Sequence, residues 1–317
     1  EEEIRLMGIP VDGKSIFPIV GELSPGIVRE CALRAGLQPG PETATPADPD
    51  GIPTLPLRTP LLCPGCPHRG VFHITNKLKL VINGDIGCYT LGFLPPLSAL
   101  HTCGCMGASI GVAHGANQVG TKQKNVAVLG DSTFFHTGMP ALLNTAYNQS
   151  ETVTIILDNR TTAMTGHQEN PATGRTLAGD STFEVDFEAL TRAMGIQHVY
   201  TVDAYDLDAV DAALREALDV DGPAVVIAKR ACALLPEARQ RWMNLEVNPE
   251  QCNGCGYCFR IGCPAILRSE ESDPKTSRPL AEIDPLLCTA CEICAQVCPR
   301  DAIYFRDEMM EREGGKK

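Results

Sequence analysis

Two runs of cysteine near the end of the chain restrict what it can fold into more than any other feature. The first is Cys252, Cys255, Cys258 and Cys263-Pro264; the second is Cys288, Cys291, Cys294 and Cys298-Pro299. A thiolate at every third residue of a tight loop presents three corners of a [4Fe–4S] cubane. A pair of zinc sites is the alternative. Zinc sites more often present Cys in pairs, frequently with His, and residues 246–317 contain no His. The spacing points to electron transfer.

The fourth Cys of each run lies too far round its loop to close its own cube. It is expected to ligate the other cluster, as in two-cluster bacterial ferredoxins. That assigns Cys252, Cys255, Cys258 and Cys298 to one cluster, and Cys263, Cys288, Cys291 and Cys294 to the second. The first run holds one extra residue before Cys263, which predicts a bulged turn.

Composition narrows the remaining choices. The net charge of −12 argues against a nucleic-acid surface. Aromatic residues are scarce and Trp242 is the one tryptophan, so base-stacking platforms are not expected. No apolar run approaches a membrane span and no signal peptide is evident. Thiolates that bind iron need a reducing compartment, so the cytoplasm is expected. The chain opens on Glu1-Glu2-Glu3 without Met, which suggests part of something longer or a processed subunit.

Residues 1–36 carry a strand-like run, Ser15–Val20, and a helix, Pro25–Arg34, ending at Gly36. They read as the end of a preceding linking domain. A Pro-rich linker follows over 37–61. Residues 62–245 alternate strand and helix, with strands at Leu80–Asn83, Val126–Gly130, Val153–Asp158, His198–Val202 and Ala224–Lys229. Helices are expected at Pro140–Asn148 and Leu207–Asp219. Such alternation predicts an α/β domain with a parallel sheet, and the Val153–Leu157 run is apolar enough to be covered on both faces. A small α+β cluster domain occupies 246–307, and a charged tail 308–317.

Ligands of an open parallel sheet bind at the carboxyl ends of its strands. There the sequence places Gly130-Asp131-Ser132 after one strand and Asp158-Asn159 after the next. The carboxylate of Asp131, the amide oxygen of Asn159 and the backbone carbonyl of Thr161 form an oxygen-only set suited to Mg2+ completed by phosphates and water. The loop Thr161–Gln168, with Met164, Thr165 and Gly166, supplies hydroxyls and backbone N–H groups for a diphosphate. The pattern resembles the thiamine diphosphate motif, Gly-Asp-Gly followed by Asn-Asn, with Ser132 for the second Gly and Asp158 for the first Asn. A plain pair of turns is the bland reading.

Four further Cys, at 63, 66, 88 and 232, fall near strand ends and form a possible third [4Fe–4S] site. The alternatives are buried free thiols, or zinc or redox chemistry at Cys63-x2-Cys66. Cys31, Cys103 and Cys105 read as buried or half-buried thiols.

Cys63–Arg69 (Cys-Pro-Gly-Cys-Pro-His-Arg), Gly84–Gly92, Gly130–Gly138 and Leu157–Gln168 occur in an order that, with the doubled Cys run, resembles the large (alpha) subunit of the indolepyruvate:ferredoxin oxidoreductases. The resemblance covers residues 60–307. It implies thiamine diphosphate, Mg2+ and two [4Fe–4S] clusters, with Cys63, Cys66, Cys88 and Cys232 as candidates for a third. It further implies oxidative decarboxylation of an aryl 2-oxoacid with coenzyme A to acyl-CoA and CO2, with electrons passing to ferredoxin. The pyrimidine-binding thiamine domain is expected on a second polypeptide, alongside a small beta/gamma-type subunit. His68, Arg69, His101, His136 and His167 are candidates for polarising the oxoacid or moving protons, although a lone His is more often structural. Two other readings stay open: an electron-transfer subunit of a larger redox complex, and a non-oxidative thiamine decarboxylase or carboligase.

Overall fold

The computed structural model describes residues 2–37, 59–236, 238 and 245–305. Most of the expected linker and all of the expected tail lie outside the described residues, as does Trp242. The chain forms two compact units, Glu1–Arg58 and Thr59–Lys317.

In the first unit, α1 (Glu2–Leu6) precedes α2 (Pro25–Arg34). Helix α2 starts where the sequence says it should. The Ser24 hydroxyl accepts the Ile27 N–H at 3.3 Å, and Pro25 occupies the first turn, where its missing N–H costs nothing. The run Ser15–Val20 is not a strand but a series of turns and bends. Pro18 cannot donate to a ladder, and the described residues of this unit supply no partner strand.

The second unit begins with α3 (His68–Lys77) and builds a six-stranded sheet. Its strands are β1 (Ile82–Gly84), β2 (Thr102–Cys103), β3 (Asn125–Gly130), β4 (Thr152–Asp158), β5 (His198–Asp203) and β6 (Ala224–Lys229). The order is β2-β1-β3-β4-β6-β5 and every pairing is parallel. The expected parallel α/β domain is therefore present. Strand β2 escaped sequence reading because it has two exposed residues at an edge.

Strands β3 and β4 are buried at every position, as a sheet covered on both faces requires. Right-handed crossovers that run in opposite directions from the middle of the sheet put helices on both sides. The chain passes through α4 (Ala108–Gln118) into β3. It then runs through α5 (Asp131–Thr133), a π-helical turn (Phe134–Gly138) and α6 (Met139–Tyr147) into β4. Helix α7 (Phe187–Ala193) leads to β5, and α8 (Leu207–Asp219) returns to β6. Helix α8 matches its predicted bounds. Asp206 caps it by accepting the Ala209 N–H at 2.9 Å, and Leu207, Val210, Leu214 and Ala217 make the buried stripe.

The chain turns from β1 towards β2 and from β3 towards β4, in opposite directions. A crevice therefore opens between the ends of β1 and β3, the switch point at which such sheets take ligands.

The cluster half follows. Strand β7 (Leu245–Val247) pairs antiparallel with β10 (Ile303–Phe305), and β8 (Ile266–Ser272) with β9 (Pro279–Ile283). A 3-10 turn (Cys258–Ile261) and α9 (Ile293–Gln296) complete it. Helix α3 packs on both α8 and the Cys258–Ile261 turn, joining the sheet half to the cluster half.

Candidate functional site

The crevice at the switch point is lined by Ile86–Tyr89 after β1, Gly130–Thr133 after β3, Asn159 and Thr161–Thr165 after β4, together with His68 and Met106. Asp131 is 1% exposed at its floor. Its Oδ1 accepts the Ser132 N–H at 2.7 Å and its Oδ2 the Thr161 N–H at 3.2 Å. Burial, then the neighbouring Asp158, pushes the carboxyl up to about 7.

The Asn159 side chain meets the same carboxylate. Turned one way, its amide oxygen stands 3.1 Å from Asp131 Oδ1 and 2.9 Å from the Thr161 carbonyl; turned over, its NH2 donates to both. In the first orientation the amide oxygen faces two other oxygens without a hydrogen between them, an arrangement a cation would make favourable. Adjacent corners of an octahedron with bonds of about 2.0–2.1 Å stand about 3 Å apart, so the spacing fits Mg2+. The set is one carboxylate, one amide and one carbonyl, hard oxygen donors of the kind Mg2+ takes. Among the described residues no three His, Cys, Asp or Glu side chains converge on a single ion.

The Thr161–Gln168 loop closes on itself. The Thr162 N–H donates to the Gln168 carbonyl at 2.9 Å and the Thr162 hydroxyl to Ser132 Oγ at 2.8 Å. The Thr165 hydroxyl turns to Gln168 Oε1 at 2.6 Å, and Gly166 adopts a positive φ of 122°. Met164, half exposed, stands at the rim of the crevice.

Several participants were not legible as such. Asp85, fully buried after β1, accepts the Gly107 N–H at 3.0 Å and the Ser109 N–H at 3.2 Å, fixing the start of α4 under the crevice. The Tyr89 hydroxyl donates to its other oxygen, and Thr133 Oγ1 stands 3.1 Å from that hydroxyl. The clue was a second Gly-Asp directly after a strand, Gly84-Asp85, parallel to Gly130-Asp131. Asn170 lies near enough to favour ionised Asp131, its buried amide nitrogen having no hydrogen-bond partner in the fold, and nothing in its local sequence marks it.

Cys63, Cys66, Cys88 and Cys232 come together beside this crevice. Burial, then the thiols of Cys232 and Cys63, then Asp131, push Cys88 up to about 11. Burial raises Cys66 most, with Cys232 and Cys63 adding to it. Burial raises Cys232 as well, and Cys63 and Asp131 act in the same direction. The Cys232 N–H donates to the Asn159 carbonyl at 2.9 Å, so the fourth thiol hangs on the residue that faces Asp131. Cys88 itself lines the crevice.

The candidate acids and bases are dispersed. His68 lines the crevice, and burial lowers its pKa to about 4, which keeps the imidazole neutral. His167 Nε2 stands 3.9 Å from Cys232 Sγ. His101 accepts the Ile82 N–H at 3.1 Å, and exposed His136 stands 3.3 Å from Thr137 Oγ1. Arg69, expected at the oxoacid, does not line the crevice; its donors are engaged by the backbone carbonyls of Leu62 and Cys63 and, in the cluster half, of Ile261 and Gly262. Cys103 and Cys105, expected buried or half-buried, are exposed, Cys103 on the edge strand β2 and Cys105 just after it, whereas Cys31 is buried.

In the cluster half the thiols fall into two sets. Cys252, Cys255, Cys258 and Cys298 line one small cavity, whose walls include Gly254, Gly256, Ala281 and Ile303. Burial raises Cys258 to about 11, and Cys252, Cys298 and Cys255 add to it. Cys291 is also pushed up to about 11, by burial first, with Cys263 and Cys288 adding to it. Cys294 is raised by burial and by Cys291, Cys263, Cys288 and Cys258, so the two sets are neighbours. Each fourth Cys has crossed to the other run. The extra residue before Cys263 is taken up by the 3-10 turn and by Gly262, whose φ of 67° is left-handed. Backbone N–H groups of Ala290 and Ala302 point at the sulfurs of Cys288 and Cys298, both at 3.4 Å.

A parallel sheet with an oxygen triad at its switch point, followed by two four-thiol sets, defines a thiamine-type cofactor domain joined to an iron–sulfur domain. Comparison with known families agrees. Residues 85–228 match the thiamine pyrophosphate enzyme C-terminal TPP binding domain, and residues 237–302 match the 4Fe-4S dicluster domain.

Among curated proteins, the chain is 39% identical over 339 aligned residues to indolepyruvate oxidoreductase subunit IorA of Pyrococcus abyssi, covering 95% of this chain and 50% of that one. The subunit IorA of Thermococcus kodakarensis is 40% identical over 93% of this chain and 48% of its own length. That of Pyrococcus horikoshii is 43% identical over 77% and 40%. The chain belongs to the family of these IorA subunits and spans about half their length. A solved 2-oxoglutarate:ferredoxin oxidoreductase from Magnetococcus marinus, with 2-oxoglutarate, coenzyme A and succinyl-CoA bound, is 20% identical with a TM-score of 0.48, over 56% of this chain and 65% of that one.

Proposed function

We propose that this chain is the diphosphate-binding and electron-exporting part of a thiamine-dependent 2-oxoacid:ferredoxin oxidoreductase that oxidises indolepyruvate or a similar aryl 2-oxoacid with coenzyme A. The observation that carries the reading is the convergence of Asp131, Asn159 and the Thr161 carbonyl in a crevice that Cys88 also lines. A cofactor anchor and a thiol set beside it are the arrangement an enzyme needs to withdraw electrons as it decarboxylates. A carboligase has no use for the thiols, and an electron carrier has none for the oxygen triad.

Thiamine diphosphate, when bound, supplies the carbanion chemistry that releases CO2. This chain's residues do the rest. Asp131, Asn159 and Thr161 would hold Mg2+, and the backbone N–H groups of Ser132 and Thr161 keep the Asp131 carboxylate oriented. Asp85 holds the start of α4 in place below the crevice. Neutral His68 is suited to accept or share a hydrogen bond at the crevice wall rather than to carry charge. Cys63, Cys66, Cys88 and Cys232 hold a third [4Fe–4S] cluster, and the eight Cys of the cluster half hold two more. A partner polypeptide supplies the pyrimidine-binding thiamine domain, a small subunit completes the complex, and ferredoxin takes the electrons. The cytoplasm is the proposed compartment; no described helix is long and apolar enough to cross a membrane.

The test is reduction of viologen or ferredoxin by the anoxic complex. Turnover that requires both indolepyruvate and coenzyme A supports the reading, and thiamine-dependent release of aldehyde without electron export refutes it. Iron analysis decides the third cluster: about twelve atoms per chain are expected, falling to about eight in Cys232→Ser. About eight in both would remove that cluster from the scheme.

A further inference from the structure

Arg69 is the largest side chain among the fully buried ones, at 2% exposure, and it serves two loops far apart in sequence. Its Nε donates to the Cys63 carbonyl at 3.0 Å and its Nη2 to the Leu62 carbonyl. Its Nη1 donates to the carbonyls of Ile261 at 3.1 Å and Gly262 at 2.5 Å. The first pair of carbonyls belongs to the loop that carries Cys63 and Cys66. The second pair immediately precedes Cys263, which stands with Cys288, Cys291 and Cys294.

These loops are interlocked at other points as well. Gly65 has no room for a Cβ, which would lie 1.9 Å from Thr289 Oγ1, between Cys288 and Cys291. The Tyr205 hydroxyl donates to the Gly65 carbonyl at 2.5 Å. Arginine suits this junction because its planar fork offers five donors and keeps its charge, whereas the three donors of lysine cannot reach four carbonyls. Burial pulls the Arg69 pKa down, and Cys263, Cys66, Cys291 and Cys63 act against that. The charge thus sits among the cysteine sulfurs of both loops, in a medium where electrostatic effects are strong.

Reduction of a cubane adds one negative charge and moves no proton or bond. A fixed positive charge nearby favours that state, and cluster potentials follow local charge and hydrogen bonding. We propose that Arg69 is a positioning residue for electron transfer: it locks the Cys63–Cys66 loop against the Cys263 loop and raises the reduction potential of the cluster held by Cys263, Cys288, Cys291 and Cys294 relative to its neighbour. The inference rests on the two-cluster reading of the eight C-terminal Cys and does not require the third cluster.

The experiment is a spectroscopically monitored redox titration of the anoxic complex carrying Arg69→Gln or Arg69→Lys, with iron counted in each. Arg69→Gln removes the charge and keeps part of the hydrogen bonding. It should shift electron occupancy between the two C-terminal clusters at least tenfold towards the Cys252 cluster, a 59 mV change in their separation. Arg69→Lys, which keeps the charge, should restore most of that separation while leaving the Leu62–Cys63 loop more open to protease than in the wild type. An unchanged separation in Arg69→Gln with iron retained overturns the proposal, and so does an equal shift in both variants. If Arg69→Gln fails to retain iron, Arg69→Lys decides: near-wild-type separation with a loosened loop supports the proposal, and a lost separation overturns it. Wild-type complex with zinc in place of iron defeats the cluster reading itself, and Arg69 with it.

Discussion

The sheet half and the cluster half of the Thr59–Lys317 unit are built on different principles. In the sheet half, β3 and β4 are buried at every residue, and helices cover both faces. In the cluster half, β8 is buried only at Ile266, and its remaining residues are half or fully exposed. The first has an apolar core large enough to hold a backbone in place and present side chains at its edge. The second is a small set of loops in which a few apolar side chains such as Ile261, Ile283 and Ile293 pack among buried and half-buried cysteines, and structures of that size usually need a metal or a crosslink. A cofactor therefore binds to a scaffold that already exists in one half, and is part of the scaffold in the other.

Removing iron is the strongest test of that contrast. Chelation, or exposure to air that oxidises the thiolates, should abolish the protease resistance of residues 245–305 while the sheet half keeps its helical circular dichroism. Loss of both halves in one transition would show that the division is false.

Asp131→Ala makes the reciprocal case. Thiamine diphosphate and Mg2+ retention should disappear, while iron in the cluster half and the melting temperature of the cofactor-free chain are preserved, because the lost carboxylate is buried at a cost. Asn159→Ala should weaken retention less, since it removes a neutral oxygen. Calorimetric titration with the cofactor reads both, and normal binding by Asp131→Ala would remove the Mg2+ assignment.

A smaller effect separates the two kinds of packing. Leu129→Ala in β3, where the side chain is fully buried, should cost about 2–5 kcal/mol in denaturant unfolding. Leu267→Ala in β8, 44% exposed, should stay within about 0.5 kcal/mol. Equal costs would contradict the contrast in how the halves are held.

A further expected effect is a pH slope. His68 titrates near 4 in the fold, against an ordinary 6.5, because it is buried. Its neutral form is the one the fold accepts, so stability is fully present above about 6.5 and is lost as pH falls towards 4, by an amount on the order of 3 kcal/mol. His68→Asn should flatten that acid limb of the stability curve. An unchanged limb would mean that the imidazole is not confined as described.

Parts of this architecture are written locally. Helix α8 is marked by Asp206 and its apolar stripe, and β3 and β4 by short Val- and Ile-rich runs between turn residues. The residues at the ends of those strands follow from strand position, which is why Asp131, Asn159 and Thr161 were legible before any coordinates. The two Cys runs are legible for the same reason, since a cubane reads spacing along a loop. Ser15–Val20 shows the limit of local pattern: its apolar residues suit a strand, but Pro18 and the lack of a described partner leave turns.

By itself, the sequence determined five of the six segments that form the sheet, where its ligand end lies, and which thiols group in the cluster half, because periodicity and spacing are properties of neighbouring residues. Only the tertiary structure decided that Asp85 supports the crevice by accepting the Gly107 and Ser109 N–H groups. It also decided that Cys103 and Cys105 stand at an exposed edge, and that Arg69 turns from the crevice to clasp the carbonyls of Ile261 and Gly262. Those roles depend on groups far away in the chain meeting in space, and a buried charge goes where the carbonyls that satisfy it are found.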